Sequence, residues 1–536
     1  MLLGVLGTGV FLAGLELMVT AVALPSIVAD LASWTELRKA SWIINGYLLA
    51  YVVTMPLAGR LADQWGARRL FLAGLALFTI GSLIAGRAQS LEELIAGRVV
   101  QAVGGGILVP VGTAGASHLF DEQSRPRALG VVGALTFLGM AAGPFVGAWI
   151  ITGFNPATAL EGARIFDGPW HDALAAPWRY VFYINVPIGI AALALAWAAS
   201  GGWETDREAG SVDLAGAAAF SAGIALILLA TTLAGSEDVA GLHGASIAAL
   251  VGAAATGLAL ALLAVGLGVR HPRPFLDARV FRSRAFSSAA IVSLLTGYGF
   301  ATAIVGGAVF VDRVLYGGPD VQRVTLGALA AATALGALGS GFALRVAGLR
   351  TMTVAGLLLS AGALVLMARW TAATSIGEVA AMMGAFGLGF GLTVTPRSTA
   401  AIEAVGRASF GVASATVTVA RMLGMAIGLA ALTAFGSTTI DRLSRQVYAT
   451  PDAYKAYIPE ALRDRPLRDG LVVQALERWA SAEAAAILVG VFLVAAAITL
   501  VALVPTFTMA ARRMLPLGEG ALPVPSAEPG EETSAG

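Results

Sequence analysis

The sequence predicts an all-α integral membrane protein with fourteen transmembrane helices, arranged as two six-helix pseudo-repeat halves with two further helices inserted between them. Of its 536 residues, 57% are hydrophobic and only 12% are charged. Apolar runs of about 20 residues, long enough to cross a bilayer as a helix, recur along the whole chain. The loops that begin at Gly59 and Gly341 share one pattern, in which Gly66 corresponds to Gly348. Such a repeat is typical of transporters with two related halves.

The fourteen predicted helices account for most of the chain. They lie at residues 3–27, 40–59, 70–87, 93–117, 128–152, 179–199, 212–234, 245–269, 286–311, 324–347, 351–369, 377–396, 408–436 and 480–510. They define an N-terminal half at 1–200, two linker helices at 201–270 and a C-terminal half at 271–510. The tail at 511–536 is rich in Pro, Glu, Gly and Ser, and we expect it to be disordered.

The distribution of basic residues predicts the orientation in the membrane. An even number of helices places both termini on one side. The loops that follow even-numbered helices carry about twice as many Lys and Arg residues as the short loops on the opposite side. The positive-inside rule therefore predicts a multi-pass protein of the plasma (inner) membrane with both termini in the cytoplasm. Two long loops, at 153–178 and 437–479, then lie on the outer side.

Composition excludes several kinds of function. A net charge of +1 leaves no basic surface for nucleic acid. The chain has no cysteine, so it has no thiolate nucleophile and no Cys-ligated metal. Neither lysine, Lys39 or Lys455, stands in the glycine-rich sequence that binds nucleotide phosphates. The histidines are scattered, and we expect neither a metal nor another cofactor. Uphill transport would therefore draw on an ion gradient or a separate subunit.

Two charged residues, Glu16 and Arg421, interrupt long apolar runs. A charge at the bilayer centre costs about 2.5–3.5 kcal/mol on insertion scales, and such charges commonly mark ion or substrate pathways. Each lies about 13 residues from the cytoplasmic end of its predicted helix, or ~20 Å deep. A desolvated carboxyl can carry a proton, whereas arginine stays charged and can act as a fixed counter-charge. The alternative is a structural ion pair that fixes helix packing.

Five motifs follow one another along the first six predicted helices. They are LELMVTAVALP at 15–25, GRLADQWGARR at 59–69, GRVVQAVGGG at 97–106, GMAAGPFVG at 139–147 and WRYVFYINVP at 178–187. Together they resemble the major facilitator superfamily, in its 14-helix drug:proton antiporter branch. The resemblance implies two six-helix halves that alternate access to a central site.

The resemblance also assigns roles to residues. The motif at 59–69, on the loop between helices 2 and 3, latches the inner ends of the two halves. The latch candidates are Gly59, Asp63, Gly66, Arg68 and Arg69, with Arg345 at the position of Asp63 in the repeat. Arg98 is associated with proton transfer, although the alternative is that Arg98 and Gln101 satisfy helix-end carbonyl groups. The helix-packing signature of exporters contains Gly139, Gly143, Pro144 and Gly147.

The chain departs from the pattern of that branch in the first helix. Glu16 stands in place of the usual Asp, Met18 in place of Thr and Ala21 in place of Asn. Arg421 and the outer segment 437–479 also resemble the mycobacterial triacylglyceride exporters of the same superfamily. Their acidic residue in helix 5 corresponds to Phe137 here. Met18, Ala21, Gln101 and Phe137 are therefore the candidate substrate-cavity residues, and Glu16, Arg98 and Arg421 the candidate proton-coupling residues.

These features favour a proton-coupled exporter of hydrophobic or amphipathic compounds, either drugs or lipids. The partners expected are such a molecule, protons, the lipid bilayer and, for a lipid, a carrier outside the membrane. The alternative is a non-transporting membrane sensor or scaffold that docks a partner through 437–479. An integral membrane enzyme is disfavoured, because no His, Asp and Glu residues cluster at a membrane face.

Overall fold

The computed structural model describes residues 2–31, 40, 42–162, 164, 167–199, 213–234, 244–268, 278–405, 409–447, 450 and 452–509. Helices are the only regular secondary structure in these ranges. The tail predicted to be disordered, 511–536, lies outside the described residues, as do 201–212 of the predicted linker.

The long helices follow one another with short connections. The first six are α1 (Leu2–Leu31), α2 (Trp42–Trp65), α3 (Ala67–Arg87), α4 (Leu91–Leu119), α5 (Arg125–Gly153) and α6 (Arg179–Ala198). The next pair are α7 (Leu214–Ala234) and α8 (Gly244–Gly268), followed by α9 (Arg284–Arg313). A helix over Pro319–Met367 is kinked at Gly348, and we name its two arms α10 and α11. The last three are α12 (Ile376–Glu403), α13 (Phe410–Val447) and α14 (Gly470–Val501).

These helices form a multi-pass membrane protein. Twelve helical segments of the described chain are long and apolar enough to cross a bilayer, with the kinked pair counted once. A shorter apolar stretch, Ala215–Ala230, lies in α7. The predicted all-α membrane architecture is therefore confirmed.

The repeat seen in the sequence has a backbone counterpart. Gly66, between α2 and α3, has φ 93°, and Gly348, between α10 and α11, has φ 76°. Glycine is favoured at such positive φ angles because it has no Cβ atom. The predicted loop between helices 2 and 3 is wrong in one respect: it is reduced to Gly66, so that Asp63 lies in α2, and Arg68 and Arg69 lie in α3.

Glycines bring α1 and α5 into close contact. A Cβ atom at Gly139 would overlap the carbonyl of Phe11, and one at Gly143 would lie 2.8 Å from the Cβ of Met18. Gly147 continues this seam against Val19, and Pro144 is half-buried beside it. The same arrangement joins α9 to α13, where Gly424 lies against the carbonyl of Leu294.

The first six helices, α1–α6, and the last six, α9–α14, form two groups that meet at two crossings. In one, Gly59 of α2 lies against Gly411 of α13, and in the other Gly130 of α5 lies against Gly341 of α10. Between them, the buried ring of Phe137 in α5 is 5.7 Å from the rings of both Phe300 and Phe390. This aromatic cluster contains side chains from both groups of helices.

The predicted outer segment 437–479 is partly helical. α13 continues to Val447, 3-10 turns lie at Ala453–Tyr457 and Glu460–Leu462, and α14 begins at Gly470. A small apolar core holds this segment together, formed by Val447, Tyr454, Ile458 and Val472. The other predicted outer loop, at 153–178, contains short helices at Pro156–Gly162 and Pro169–Leu174.

Candidate functional site

Glu16 lies at the centre of a buried polar network in the first six helices. Its side chain is 0% exposed. One carboxylate oxygen, Oε1, accepts hydrogen bonds from Thr20 Oγ1 at 2.8 Å and from the Nη1 of Arg98. The other, Oε2, accepts from Asn185 Nδ2 at 2.7 Å. Glu16 and Arg98 thus form a charge-assisted ion pair between α1 and α4.

Arg98 extends this network to α2 and α3. Its Nε donates to the carbonyl of Ile43 at 3.3 Å, and its Nη1 also donates to Gln101 Oε1 at 2.8 Å. The guanidinium lies 4.0 Å from the ring centre of Tyr47, which adds a cation–π contact. Gln101 in turn donates from Nε2 to Ser82 Oγ at 2.8 Å. The alternative reading of Arg98 and Gln101, that they satisfy helix-end carbonyls, accounts for only one of these bonds.

Two tyrosines of α2 connect this network to the other half of the protein. The rings of Tyr47 and Tyr51 stack at 5.8 Å, and neither hydroxyl has a hydrogen-bond partner among the described residues. Tyr47 lies under Arg98, and Tyr51 interacts electrostatically with Arg421 of α13. Each tyrosine is thus near one of the two arginines.

Arg421 does not take part in the Glu16 ion pair. Its guanidinium lies 5.7 Å from the ring of Phe137, and its Nε has no hydrogen-bond partner within the described part of the chain. It borders a small cavity together with Arg397 of α12, a residue that sequence analysis did not identify. Arg397 lies near the C-terminal end of α12, where an arginine is easily taken as a topology signal.

The candidate substrate-cavity residues are in different surroundings. Gln101 belongs to the Glu16 network, and Phe137 is only 2% exposed in the aromatic cluster. Met18 is half-buried and packs against that cluster. Ala21 lies in α1, but its side chain is outside the described part of the structure. Thr20, Ser82 and Asn185 were not identified as site residues, although Thr20 and Asn185 each lie in one of the five motifs.

Asp63 joins the two halves at the latch. Its Oδ1 accepts from the backbone N–H of Gly411 at 2.7 Å, and its Oδ2 accepts from that of Val412 at 2.9 Å. These amides belong to the first turn of α13, where backbone donors lack partners within the helix and the helix dipole favours an anion. The close approach of Gly59 to Gly411 allows this contact.

The arginines of the latch motif are less buried than Asp63. Arg68 is half-buried, whereas Arg69 and Arg345 are exposed. Asp63, by contrast, is 2% exposed. At this motif, the contact described between the halves is therefore the one between the carboxylate of Asp63 and the backbone amides of α13.

Comparisons with known proteins agree with this architecture. The sequence model described as Major Facilitator Superfamily matches residues 6–429. A protein of Mycolicibacterium hassiacum named as a triacylglyceride transporter is 32% identical over 462 residues, which covers 83% of this chain and 81% of that protein. A triacylglyceride transporter of Mycobacterium tuberculosis is 32% identical over 418 residues, covering 75% of each chain.

Solved structures of low sequence identity share the fold. A human organic anion transporter superposes with a TM-score of 0.61 at 13% identity, over 95% of this chain and 99% of that chain. A bacterial homologue of the human lysosomal transporter Spinster, in an inward-facing and occupied conformation, gives a TM-score of 0.56 at 16% identity, over 95% of this chain and 96% of that chain. The family model and the relatives named as transporters make this chain a transporter and not an enzyme.

Proposed function

Because the chain belongs to the Major Facilitator Superfamily, we propose that it is a proton-coupled lipid exporter that works by alternating access. The observation that carries the proposal is the likeness to proteins named as triacylglyceride transporters, which spans 81% of the length of one of them. In this account, halves 1–200 and 271–510 rock about the central site, and the helices of 201–270 accompany them.

Lipid is favoured over small drugs by the relatives and by the residues at the middle of the membrane. Met18 and Ala21 are apolar where drug exporters of the resembled branch carry Thr and Asn. An apolar interface suits acyl chains, whose transfer from water is driven by the hydrophobic effect. Export of hydrophobic drugs is the second candidate, supported by the resemblance to the drug:proton antiporter branch.

Proton coupling is proposed for Glu16, with Arg98 as its counter-charge. Protonation of Glu16 would leave a buried arginine without its paired charge, held by the neutral groups of Gln101 and Ile43 and by the rings of Tyr47 and Phe182. A buried charge that loses its partner is destabilised. We therefore assign the ion pair to the present state, and a neutral Glu16 to a state in which Arg98 has moved. Arg421 keeps a role as a fixed positive charge across the interface.

The latch supports alternating access. Asp63 holds the start of α13 against α2 at the inner end of the bundle. In the proposed cycle, these hydrogen bonds form when the protein opens outward and break when it opens inward. Gly66, Arg68, Arg69 and Arg345 are proposed to support this latch.

In the proposed topology, the protein lies in the plasma membrane and crosses it fourteen times. Both termini are in the cytoplasm. In this count, the two arms of the kinked helix, α10 and α11, each cross the membrane once, and the shorter helix α7 crosses it as well. The outer segment 437–479 is then positioned to pass lipid to a carrier outside the membrane. A sensor or scaffold would need neither the ion pair nor the latch, and the transporter relatives favour transport.

The test is transport by the purified full-length protein in proteoliposomes. A fluorescent triacylglyceride and a lipophilic cation would be offered in parallel under an imposed pH gradient. Gradient-driven movement of the glyceride, above that of protein-free vesicles, is the expected result. Movement of the cation alone would favour the drug candidate, and movement of neither would contradict the proposed function.

A further inference from the structure

Two arginines of the last six helices, one buried and one half-buried, line the same cavity. Arg397 of α12 is 2% exposed, and Arg421 of α13 borders the same cavity. No described carboxylate lies within 4.0 Å of either guanidinium. In the other half, by contrast, the carboxylate of Glu16 lies within this distance of Arg98. The C-terminal half therefore contains two positive charges without the negative partner that the N-terminal half provides.

The neighbours of these arginines are neutral. Arg397 donates from Nε to the carbonyl of Thr393 at 2.9 Å, and its Nη1 contacts the hydroxyl of Thr296. Its guanidinium is 5.2 Å from the ring of Phe390, and that of Arg421 is 5.7 Å from the ring of Phe137. Carbonyls, hydroxyls and rings stabilise a guanidinium, but they do not cancel its charge. Arginine keeps that charge in proteins, so a counter-anion would stabilise the site.

The cavity has the donors that an anion requires. It is lined by Ser293 of α9, by Ser398 of α12 and by Thr418 of α13, in addition to the two arginines. The Nε of Arg421 has no partner in the described part of the chain. The planar guanidinium fork matches the oxygens of a phosphate or carboxylate. The three hydroxyls donate here to carbonyls of their own helices, Ser293 to Ala289, Ser398 to Val394 and Thr418 to Ser414, so each would turn to reach the anion. Val394 and Val417 form the remaining apolar wall.

The position of the cavity indicates where the anion would come from. Arg397 lies near the inner end of α12, and Arg421 is ~16 Å along α13 from its start at Phe410. Arg397 is thus on the latch side of the membrane middle, and Arg421 is near the middle itself. The cavity has a volume of about 30 Å³, enough for one or two water molecules. It borders α13, the helix held by Asp63, so release of the latch would widen it.

We propose that Arg397 and Arg421 bind the ionised head group of an amphiphile from the inner leaflet, through its phosphate or carboxylate group. This proposal rests on the proposed function for the side from which the lipid enters. It adds a charged class of substrate, since a triacylglyceride carries no charge. The acyl chains would lie along the apolar interface formed by Phe137 and its neighbours.

Native mass spectrometry of the full-length protein in detergent tests this binding without requiring transport. The probes are dioctanoyl phosphatidic acid, the matched neutral lipid dioctanoylglycerol and inorganic phosphate. We expect the anionic lipid to bind at least about ten-fold more tightly than either of the others, because charged hydrogen bonds and acyl burial act together. Equal binding of the two lipids would overturn the proposal. Binding of inorganic phosphate as tight as that of the lipid would overturn the amphiphile as its source.

Variants locate the binding site. Arg397→Gln and Arg421→Gln should each remove most of the preference for the anionic lipid, while Arg397→Lys and Arg421→Lys should retain part of it. Arg284→Gln, which changes an exposed arginine at the start of α9, is the matched control and should bind as the wild type does. An unchanged preference in both Gln variants would contradict the assignment. If those variants do not fold, the assignment is decided by comparing the preference of the Lys variants for the anionic lipid with that of the wild type. A protein that binds the anionic lipid but transports no lipid would refute the proposed function and not this site.

Discussion

The carboxylate of Glu16 pairs with the guanidinium of Arg98, and both residues belong to the first six helices. The pair is almost completely buried, with Glu16 0% and Arg98 2% exposed. Arg421, at a similar expected depth in the opposite half, lies instead beside Phe137 and Tyr51. Proton coupling through Glu16 is thus expected to act first on α4 and only indirectly on the other half.

Breaking this pair from one side should destabilise the protein. Arg98→Gln leaves Glu16 buried without its counter-charge, and removal of one member of a buried pair typically costs about 3–5 kcal/mol. We expect a clear fall in the thermal unfolding midpoint of the purified protein. The double variant Glu16→Gln/Arg98→Gln should recover much of the loss, because no uncompensated charge remains. Additive losses in the double variant would show that the two residues act independently.

The latch predicts a change in the balance of conformations. Asp63→Asn keeps the size of the side chain but replaces one acceptor oxygen by a donor that faces the amides of Gly411 and Val412. Transport should fall while expression stays normal, and a cysteine placed at the inner end of α13 should react faster with a cytoplasmic reagent. Arg284→Gln, at an exposed position outside the latch motif, is the control. If the Asp63→Asn variant transports lipid and its cysteine is labelled as in the wild type, the motif serves only as a topology signal.

The seam between α1 and α5 predicts a stability effect. Gly143→Val would force side-chain atoms against the backbone of Leu15 and the Cβ of Met18. Such overpacking typically costs about 1–3 kcal/mol. The unfolding midpoint should fall well below that of Gly362→Ala, whose new Cβ atom meets nothing within 4 Å. Equal midpoints for the two variants would mean that the seam can separate without cost.

The outer segment predicts a difference between substrates. Replacing residues 450–469 with a short Gly–Ser linker removes the apolar core around Tyr454 and Ile458 but keeps α13 and α14. Export of lipid should suffer more than export of a small lipophilic cation, since only the lipid needs an apolar route away from the membrane. Equal loss for both substrates, or no loss for either, would remove this argument for lipid.

The sequence was sufficient to identify the membrane helices and the repeat, because apolar runs and glycine spacing are local signals. Glu16 could be found since a buried carboxylate is rare in an apolar run. Its partner could not, because the choice between Arg98 and Arg421 depends on which helices adjoin. The contact of Asp63 was missed for another reason: its partners are backbone amides of α13, and every residue except proline has such a donor.

The central claim, that Glu16 couples proton movement to lipid export, is tested most directly by gradient-driven transport of Glu16→Gln. This variant mimics a permanently protonated carboxyl, so it should bind lipid, and exchange it without a gradient, as the wild type does. Glu16→Asp, which keeps an ionisable group, serves as the matched variant and should retain part of the driven transport. Proteoliposomes with a pH difference imposed across the membrane would be loaded with fluorescent lipid. The account predicts that Glu16→Gln vesicles fail to move lipid against its gradient. Accumulation equal to that of the wild type would contradict it.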